Sequence, residues 1–293
     1  MFFLIGSIVL SSWLTLSFKL VERFGINTFQ AIVFNYITCV VTGSFVNGAF
    51  PISTDSVSES WFGWSLLMGL TFIGLFNAIG MTAQKMGVSV ASVANKLSLV
   101  IPFIFSIYLY NEAPTAFKII GVIIALASVV LTCWPSANAT EPSGKKVNPL
   151  FFLLPVILFV GSGLLDTMIK YVEISFLNDT NKNAYLITAF AVAAFLGLIA
   201  MIFMLITGKM KFDKRAIAAG IIIGVPNYFS IWCLVRVLKD YAGNSSAIIP
   251  INNMGIVLFS TLAALFMFKE KLSKLNWLGI ILSIAAISLI AFG

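Results

Sequence analysis

Lys96 is the side chain with the clearest potential for chemistry, because it lies with Asn95 and Pro102 inside the apolar stretch 88–112. An ammonium group in hydrocarbon is costly, so it should face protein or a water-filled cavity. There it can bind a substrate carboxylate or phosphate, or release its proton in a proton-coupled cycle. The alternatives are a structural ion pair and a side chain that reaches the nearer membrane interface.

Asp166 is the second charged candidate, inside the apolar run 150–171. It can pair with Lys96, hold a substrate amine or carry a proton. The alternative is a bridge to Lys170, which lies four residues further along the same helical face. A carboxylate together with an ammonium would suit an amino acid or another zwitterion.

Uncharged polar side chains also interrupt the apolar runs, and they suit hydrogen bonding to a polar solute or, alternatively, between helices. These candidates are Asn35, Tyr36, Asn77, Asn95, Asn227, Tyr228, Asn252 and Asn253. The stretch 246–270 resembles 88–112. Its Pro250 removes a backbone donor and frees a carbonyl, and local unwinding is tolerated where backbone lines a cavity. Trp232 lies deeper than the other tryptophans, and we expect it to line the cavity.

Helices across a membrane must position these residues. Sixty per cent of the 293 residues are hydrophobic and only 10% are charged, far from the composition of a soluble domain. Each run below is long enough for a membrane helix, and none shows the alternating polarity of a barrel strand. The runs are 2–20, 29–47, 61–82, 88–110, 117–134, 150–171, 184–207, 215–237, 246–268 and 276–292.

Composition also excludes several functions. The chain has no histidine, and its three cysteines show no metal-ligand spacing, so we expect no metal and no cofactor. The net charge of +7 comes mostly from Lys and Arg in short connections, as in membrane proteins, which argues against nucleic-acid binding. An enzyme should gather acid and base groups at one membrane surface, whereas this sequence scatters them.

Internal similarity indicates a duplication. The matches are 11–19 with 162–170, Asn95 with Asn253, and, without gaps, 111–131 with 269–289, which aligns Glu112 with Glu270 and Gly121 with Gly279. The polar segment 135–149 is the predicted linker between the halves 1–134 and 150–293. Because five crossings is an odd number, the second half must enter from the opposite side. The fold class is therefore an all-α polytopic membrane protein with ten transmembrane helices in two inverted five-helix repeats, an architecture typical of secondary transporters.

Two such repeats, each closing with Glu-x8-Gly and an apolar last helix, resemble the EamA-type proteins of the drug/metabolite transporter superfamily. The segment 13–19 is also similar to that family. The resemblance implies a central cavity lined by helices one to four and six to nine, with helices five and ten supporting packing or homodimer contacts. Many members carry an Arg in the second helix where this chain reads Phe34-Asn35-Tyr36.

The leading hypothesis is a secondary transporter that moves small polar organic metabolites, such as amino acids or other zwitterions, by alternating access. Its partners are the substrate, the lipid bilayer and protons or another coupling ion. An exporter of lipophilic or cationic drugs is one alternative, and a membrane-embedded enzyme or scaffold subunit is another. The predicted location is a plasma or bacterial inner membrane. Twelve Lys and Arg in the odd-numbered connections against five in the even-numbered ones place the termini outside, whereas the resemblance implies cytoplasmic termini, so both orientations stay open.

Overall fold

The computed structural model describes residues 2–110, 115–133, 153–178, 180–240, 245–269 and 272–292, and within these ranges all regular structure is helical. Seven helical segments are long and apolar enough to cross a membrane, and three more apolar helices are shorter. The elements are α1 (Phe2–Arg23), α2 (Thr28–Asn47), a short 3₁₀ helix (Thr54–Ser58), α3 (Phe62–Lys85), α4 (Val88–Leu97), α5 (Val100–Tyr110), α6 (Ala116–Cys133), α7 (Leu153–Phe176), α8 (Lys182–Ile206), α9 (Arg215–Asp240), α10 (Ser245–Phe268) and α11 (Lys274–Phe292).

The predicted run 88–110 is not one helix, because the structure interrupts it between α4 and α5. Pro102 has no N–H to donate to the carbonyl of Ser98, four residues earlier. The N–H of Ile101 donates to that carbonyl instead, at 2.9 Å. The Ser98 hydroxyl donates to the carbonyl of Asn95 at 2.6 Å. The helix therefore ends and restarts at a tighter turn.

Helix α10 continues through Pro250 without unwinding. Pro250 has no N–H, so one upstream carbonyl of α10 lacks its helical donor, as at any proline within a helix. Pro226, in the interior of α9, also leaves its helix uninterrupted.

The chain packs as two compact units, and each takes segments from both halves of the sequence. Unit 1 contains Met1–Lys19, Ala78–Leu164 and Ser230–Gly293, and unit 2 contains Leu20–Asn77 and Leu165–Phe229. The predicted linker 135–149 lies outside the described residues, as do Glu112 and Glu270.

In unit 1, α6 packs against α11. A Cβ added to Gly121 would lie 2.8 Å from Cγ1 of Ile290 and 3.1 Å from the carbonyl oxygen of Ala286, so only glycine allows this approach. Asn276 of α11 donates from Nδ2 to the carbonyl of Thr132 at 2.8 Å. Side chains of α4, α6, α10 and α11 then form a common core, with Val93, Leu97, Ala125, Val257, Ile280 and Ile287 fully or almost fully buried.

In unit 2, α2 packs antiparallel against α8. Gly43, near the end of α2, faces Ile187 near the start of α8, and Gly197, late in α8, faces Val33 early in α2. The start of α2 is fixed by Asn27, whose side chain accepts a hydrogen bond from the backbone N–H of Gln30. Large apolar side chains are exposed along both helices, which fits contact with lipid.

Candidate functional site

Unit 2 contains a buried polar group that we name the amide cluster: Asn35 and Cys39 of α2, with Asn227 and the carbonyl of Gly224 from α9. Asn35 is 0% exposed and Asn227 is 3% exposed. The Nδ2 of Asn227 donates to Oδ1 of Asn35 at 3.1 Å. The Cys39 thiol donates to the Gly224 carbonyl at 3.4 Å and lies 3.8 Å from Oδ1 of Asn35.

Two glycines four residues apart, Gly220 and Gly224, let α9 approach α2 closely enough for these contacts. A Cβ added to Gly224 would lie 2.6 Å from Cβ of Thr38 and 2.7 Å from the carbonyl oxygen of Asn35. Gly220 packs as tightly against Phe34. Small residues at this spacing are a common way for membrane helices to bring their backbones together.

The amide cluster retains one unused donor. Nδ2 of Asn35 is buried and has no hydrogen-bond partner among the residues that the structure describes. A buried polar group without a partner costs about 1–3 kcal/mol. A water molecule or an oxygen of a bound solute would remove that cost, so Asn35 can recognise an acceptor.

Tyr36 and Asn77 use their polar atoms within the protein. The Tyr36 hydroxyl donates to the carbonyl of Phe72 at 2.9 Å, and its ring contacts Phe72 and Phe190 with centroids about 6 Å apart. Nδ2 of Asn77 donates to the carbonyl of Ile73, one turn earlier in the same helix, at 2.7 Å. Both side chains therefore form hydrogen bonds within the protein, which is the alternative to solute binding.

Lys96 lies in unit 1, at the end of α4 and directly before the interruption. It is half-buried, like Asn95, and it falls near the middle of the candidate span Val88–Phe105. The backbone of α7 covers the interruption. A Cβ added to Gly163 would lie 2.8 Å from the Ser98 carbonyl oxygen and 2.5 Å from Cδ1 of Ile101.

The remaining candidates in unit 1 lie on α9 and α10. Asn252 is 3% exposed, and its Oδ1 has no partner within the described part of the chain, whereas Asn253 is half-buried. The half-buried Trp232 contacts Phe3 edge-on at 5.6 Å. The guanidinium carbon of Arg236 lies 5.2 Å above the Trp232 ring, so that ring already has a cationic neighbour.

The structure thus brings Asn35 and Asn227 together in unit 2, and Tyr228 follows on α9, buried against Gly43. Asp166 belongs to unit 2 and Lys96 to unit 1, and their pairing stays a prediction. The Asp166 side chain is exposed. Sequence reasoning missed Cys39 and the role of Gly220 and Gly224, although the Gly-x-x-x-Gly spacing was a readable signal.

Comparison with known proteins points to a transporter family. Residues 175–292 match the model of the EamA-like transporter family. An uncharacterized protein of Haemophilus influenzae is 28% identical over 288 residues, which cover 97% of this chain and 95% of that protein. A crystal structure of another protein aligns with a TM-score of 0.58 and 13% identity over 98% of this chain and 94% of the other, which shows a shared fold alone.

Proposed function

From the match of residues 175–292 to the EamA-like transporter family, we propose that this chain is a secondary transporter of small polar organic metabolites. The family and the apolar helices make it a multi-pass membrane protein. Transport would proceed by alternating access between two inverted repeats, with Lys96 binding an acidic group of the substrate. Three sets of contacts support this proposal.

Reciprocal contacts between α6 and α11 support the repeat in unit 1. The contacts join Gly121 to the carbonyl of Ala286 and the side chain of Ile290, and Gly279 to the carbonyl of Ser128 and the side chain of Thr132. The register that aligns 111–131 with 269–289 pairs Gly121 with Gly279, Ser128 with Ala286 and Thr132 with Ile290. Gly121 therefore contacts Ala286 and Ile290, and these are the counterparts of Ser128 and Thr132, which Gly279 contacts.

Unit 2 shows the same reciprocity in two helix pairs. Between α2 and α8, Gly43 contacts Ile187 and Gly197 contacts Val33. Gly69 of α3 contacts the carbonyl of Ala189 and Cβ of Val192 on α8. Gly224 of α9 contacts the carbonyl of Asn35 and Cβ of Thr38 on α2. One register, which pairs Gly43 with Gly197, also pairs Val33 with Ile187, Asn35 with Ala189 and Thr38 with Val192. Antiparallel helices that exchange equivalent contacts are related by a twofold axis perpendicular to them. For membrane-spanning helices that axis lies in the membrane plane, as inverted repeats require.

The interruption after Lys96 is the observation that carries the proposal. In the register that pairs Asn95 with Asn253, α10 has Met254 at the position of Lys96 and Ser260 at that of Pro102, and α10 is continuous. The repeated fold therefore needs neither the cation nor the break. Interrupted helices near mid-membrane are where such transporters bind substrates, and an ammonium there suits a carboxylate or phosphate.

Transport by the purified protein in liposomes tests this assignment. The solutes are amino acids, other carboxylates and phosphorylated metabolites, with lipophilic cations as the contrasting class. Lys96→Gln should reduce uptake of the transported acidic or zwitterionic solute about 10- to 100-fold, the value of a charge-assisted hydrogen bond, while Lys96→Arg retains part of it.

Lys274→Gln is the matched control, because Lys274 is an exposed lysine in the first turn of α11. Normal transport by Lys96→Gln would remove Lys96 from the substrate site. Transport of lipophilic cations alone would favour the drug-exporter alternative instead.

A further inference from the structure

One end of unit 2 is strongly basic. Because α2 and α8 pack antiparallel, the connection before α2 and the connection after α8 lie at the same end of the unit. The basic surface at this end consists of Arg23, Lys209, Lys211, Lys214 and Arg215, all of them exposed. At the opposite end, the sequence of the connections 48–61 and 177–181 contains Asp55, Glu59 and Asp179, and Lys182 follows in the first turn of α8.

Specific hydrogen bonds hold the connection after α8 against the end of α1 and the start of α2. The Arg215 guanidinium donates to the carbonyls of Phe24 and Gly25 at 3.1 and 3.0 Å, at the end of α1. The buried side chain of Gln30 donates to the carbonyl of Lys211 at 2.7 Å and accepts from the backbone N–H of Asp213 at 2.9 Å. The basic surface is therefore built on a fixed backbone.

The charges on this surface are only partly compensated. The Asp213 carboxylate is bound by Arg215, with an N–O distance of 2.9 Å, and Glu22 is the other acidic residue nearby in the sequence. The Arg215 side chain that holds Asp213 is itself 61% exposed. Three lysines in the connection that follows α8 thus remain available for an external anion.

Aromatic side chains lie among these cations. Phe24 is 66% exposed and Phe212 is 47% exposed, and the ring of Phe212 is anchored edge-on against Phe34 with centroids 6.3 Å apart. Exposed aromatic rings between Lys and Arg, at the end of membrane-spanning helices, are typical of protein surfaces that contact lipid headgroups and the adjoining acyl chains.

We propose that this basic surface binds the phosphate headgroups of anionic phospholipids, with Lys209, Lys211 and Lys214 contacting the phosphates and Phe24 and Phe212 entering the boundary of the acyl chains. Basic segments next to membrane helices attract anionic lipids with about a fivefold gain per Lys or Arg, which corresponds to ~1 kcal/mol. The fixed geometry should add to that attraction, because the cations need not be gathered when the lipid binds.

The test uses the full-length chain in neutral-detergent micelles and records its unfolding midpoint as phosphatidylglycerol is added. Phosphatidylglycerol should raise the midpoint more than the same mole fraction of phosphatidylcholine. Lys209→Gln with Lys211→Gln should raise the half-effective phosphatidylglycerol fraction about 25-fold. The matched control is Lys269→Gln with Lys274→Gln, two exposed lysines outside the basic surface, which should shift it less than the Lys209 and Lys211 pair does.

Gln30→Leu is the second variant, because it keeps every charge and removes both hydrogen bonds of Gln30 to the connection. We expect a several-fold weaker response to phosphatidylglycerol, measured relative to the variant's own midpoint in phosphatidylcholine. An unchanged response in Gln30→Leu would contradict the claim that the fixed backbone strengthens lipid binding. Equal losses in the two double-lysine variants would overturn the location, and an equal midpoint shift from inorganic phosphate would show that the ligand is a free anion instead.

Discussion

Gly224→Ala probes the close approach of α9 to α2, on which the amide cluster depends. The new Cβ would lie 2.6 Å from Cβ of Thr38 and 2.7 Å from the carbonyl oxygen of Asn35, whereas ordinary contacts are about 3.5–4.0 Å. Two of the three nearest atoms belong to a β-branched side chain and the third to backbone, so none can simply swing away. The helices must therefore separate by about 1 Å.

That separation sets the expected loss of stability. Overpacking of this kind costs about 1–3 kcal/mol. The hydrogen bond from Asn227 to Asn35, now 3.1 Å long, would lengthen beyond useful range, which adds about 0.6 kcal/mol for a bond between membrane helices. The free energy of unfolding should fall by about 2–4 kcal/mol in total.

Reversible unfolding in mixed detergent micelles, followed by circular dichroism, measures this loss. Gly74→Ala is the matched control, since Gly74 is also inside a membrane helix but has nothing within 4 Å of an added Cβ. There alanine should stabilise the helix by about 0.5–1 kcal/mol. If the two variants unfold within about 0.5 kcal/mol of each other, the tight contact that we describe is not present.

Three further predictions concern polar groups. The Arg215 guanidinium holds the pKa of the Asp213 carboxyl below its usual 3.8, so the pair stabilises the fold above pH 3.8 and this contribution is lost as the pH falls through the lower pKa of the folded state. The difference in unfolding midpoint between wild type and Asp213→Asn should therefore shrink at acid pH. A constant difference between about pH 2 and 6 would contradict this prediction. Asn35→Ala and Asn227→Ala should show a coupling energy of about 0.6 kcal/mol in a double-mutant cycle of unfolding, and strictly additive losses would mean that the bond contributes nothing. Lys96→Asp combined with Asp166→Lys should regain part of the transport that either change abolishes, and a double variant no better than the singles would show that the two charges are not coupled.

Hydropathy predicted most helices well, because a hydrocarbon layer demands apolar runs of a fixed length. It did not separate Pro102 from Pro226 and Pro250, since the effect of a proline depends on what packs against the carbonyl that it leaves without a donor. At Pro102, Gly163 brings a neighbouring backbone against the Ser98 carbonyl. That contact cannot be read from the local sequence.

The candidate site was predicted residue by residue but not as an arrangement. Asn35 and Asn227 were both singled out, yet their contact joins residues 192 positions apart and depends on how α9 meets α2. Tyr36 shows the converse case, because its polar group was visible in the sequence but its commitment to the Phe72 carbonyl was not. Internal similarity was most informative at Gly121 and Gly279, which the alignment pairs and which make equivalent tertiary contacts.

The packing of α6 on α11 and of α2 on α8 has a consequence for biosynthesis. In each pair, the second helix leaves the ribosome long after the first has entered the bilayer. Helix α6 therefore keeps its glycine face uncovered until α11 has been translated. We expect a nascent chain stopped before α11 to present that face to other helices.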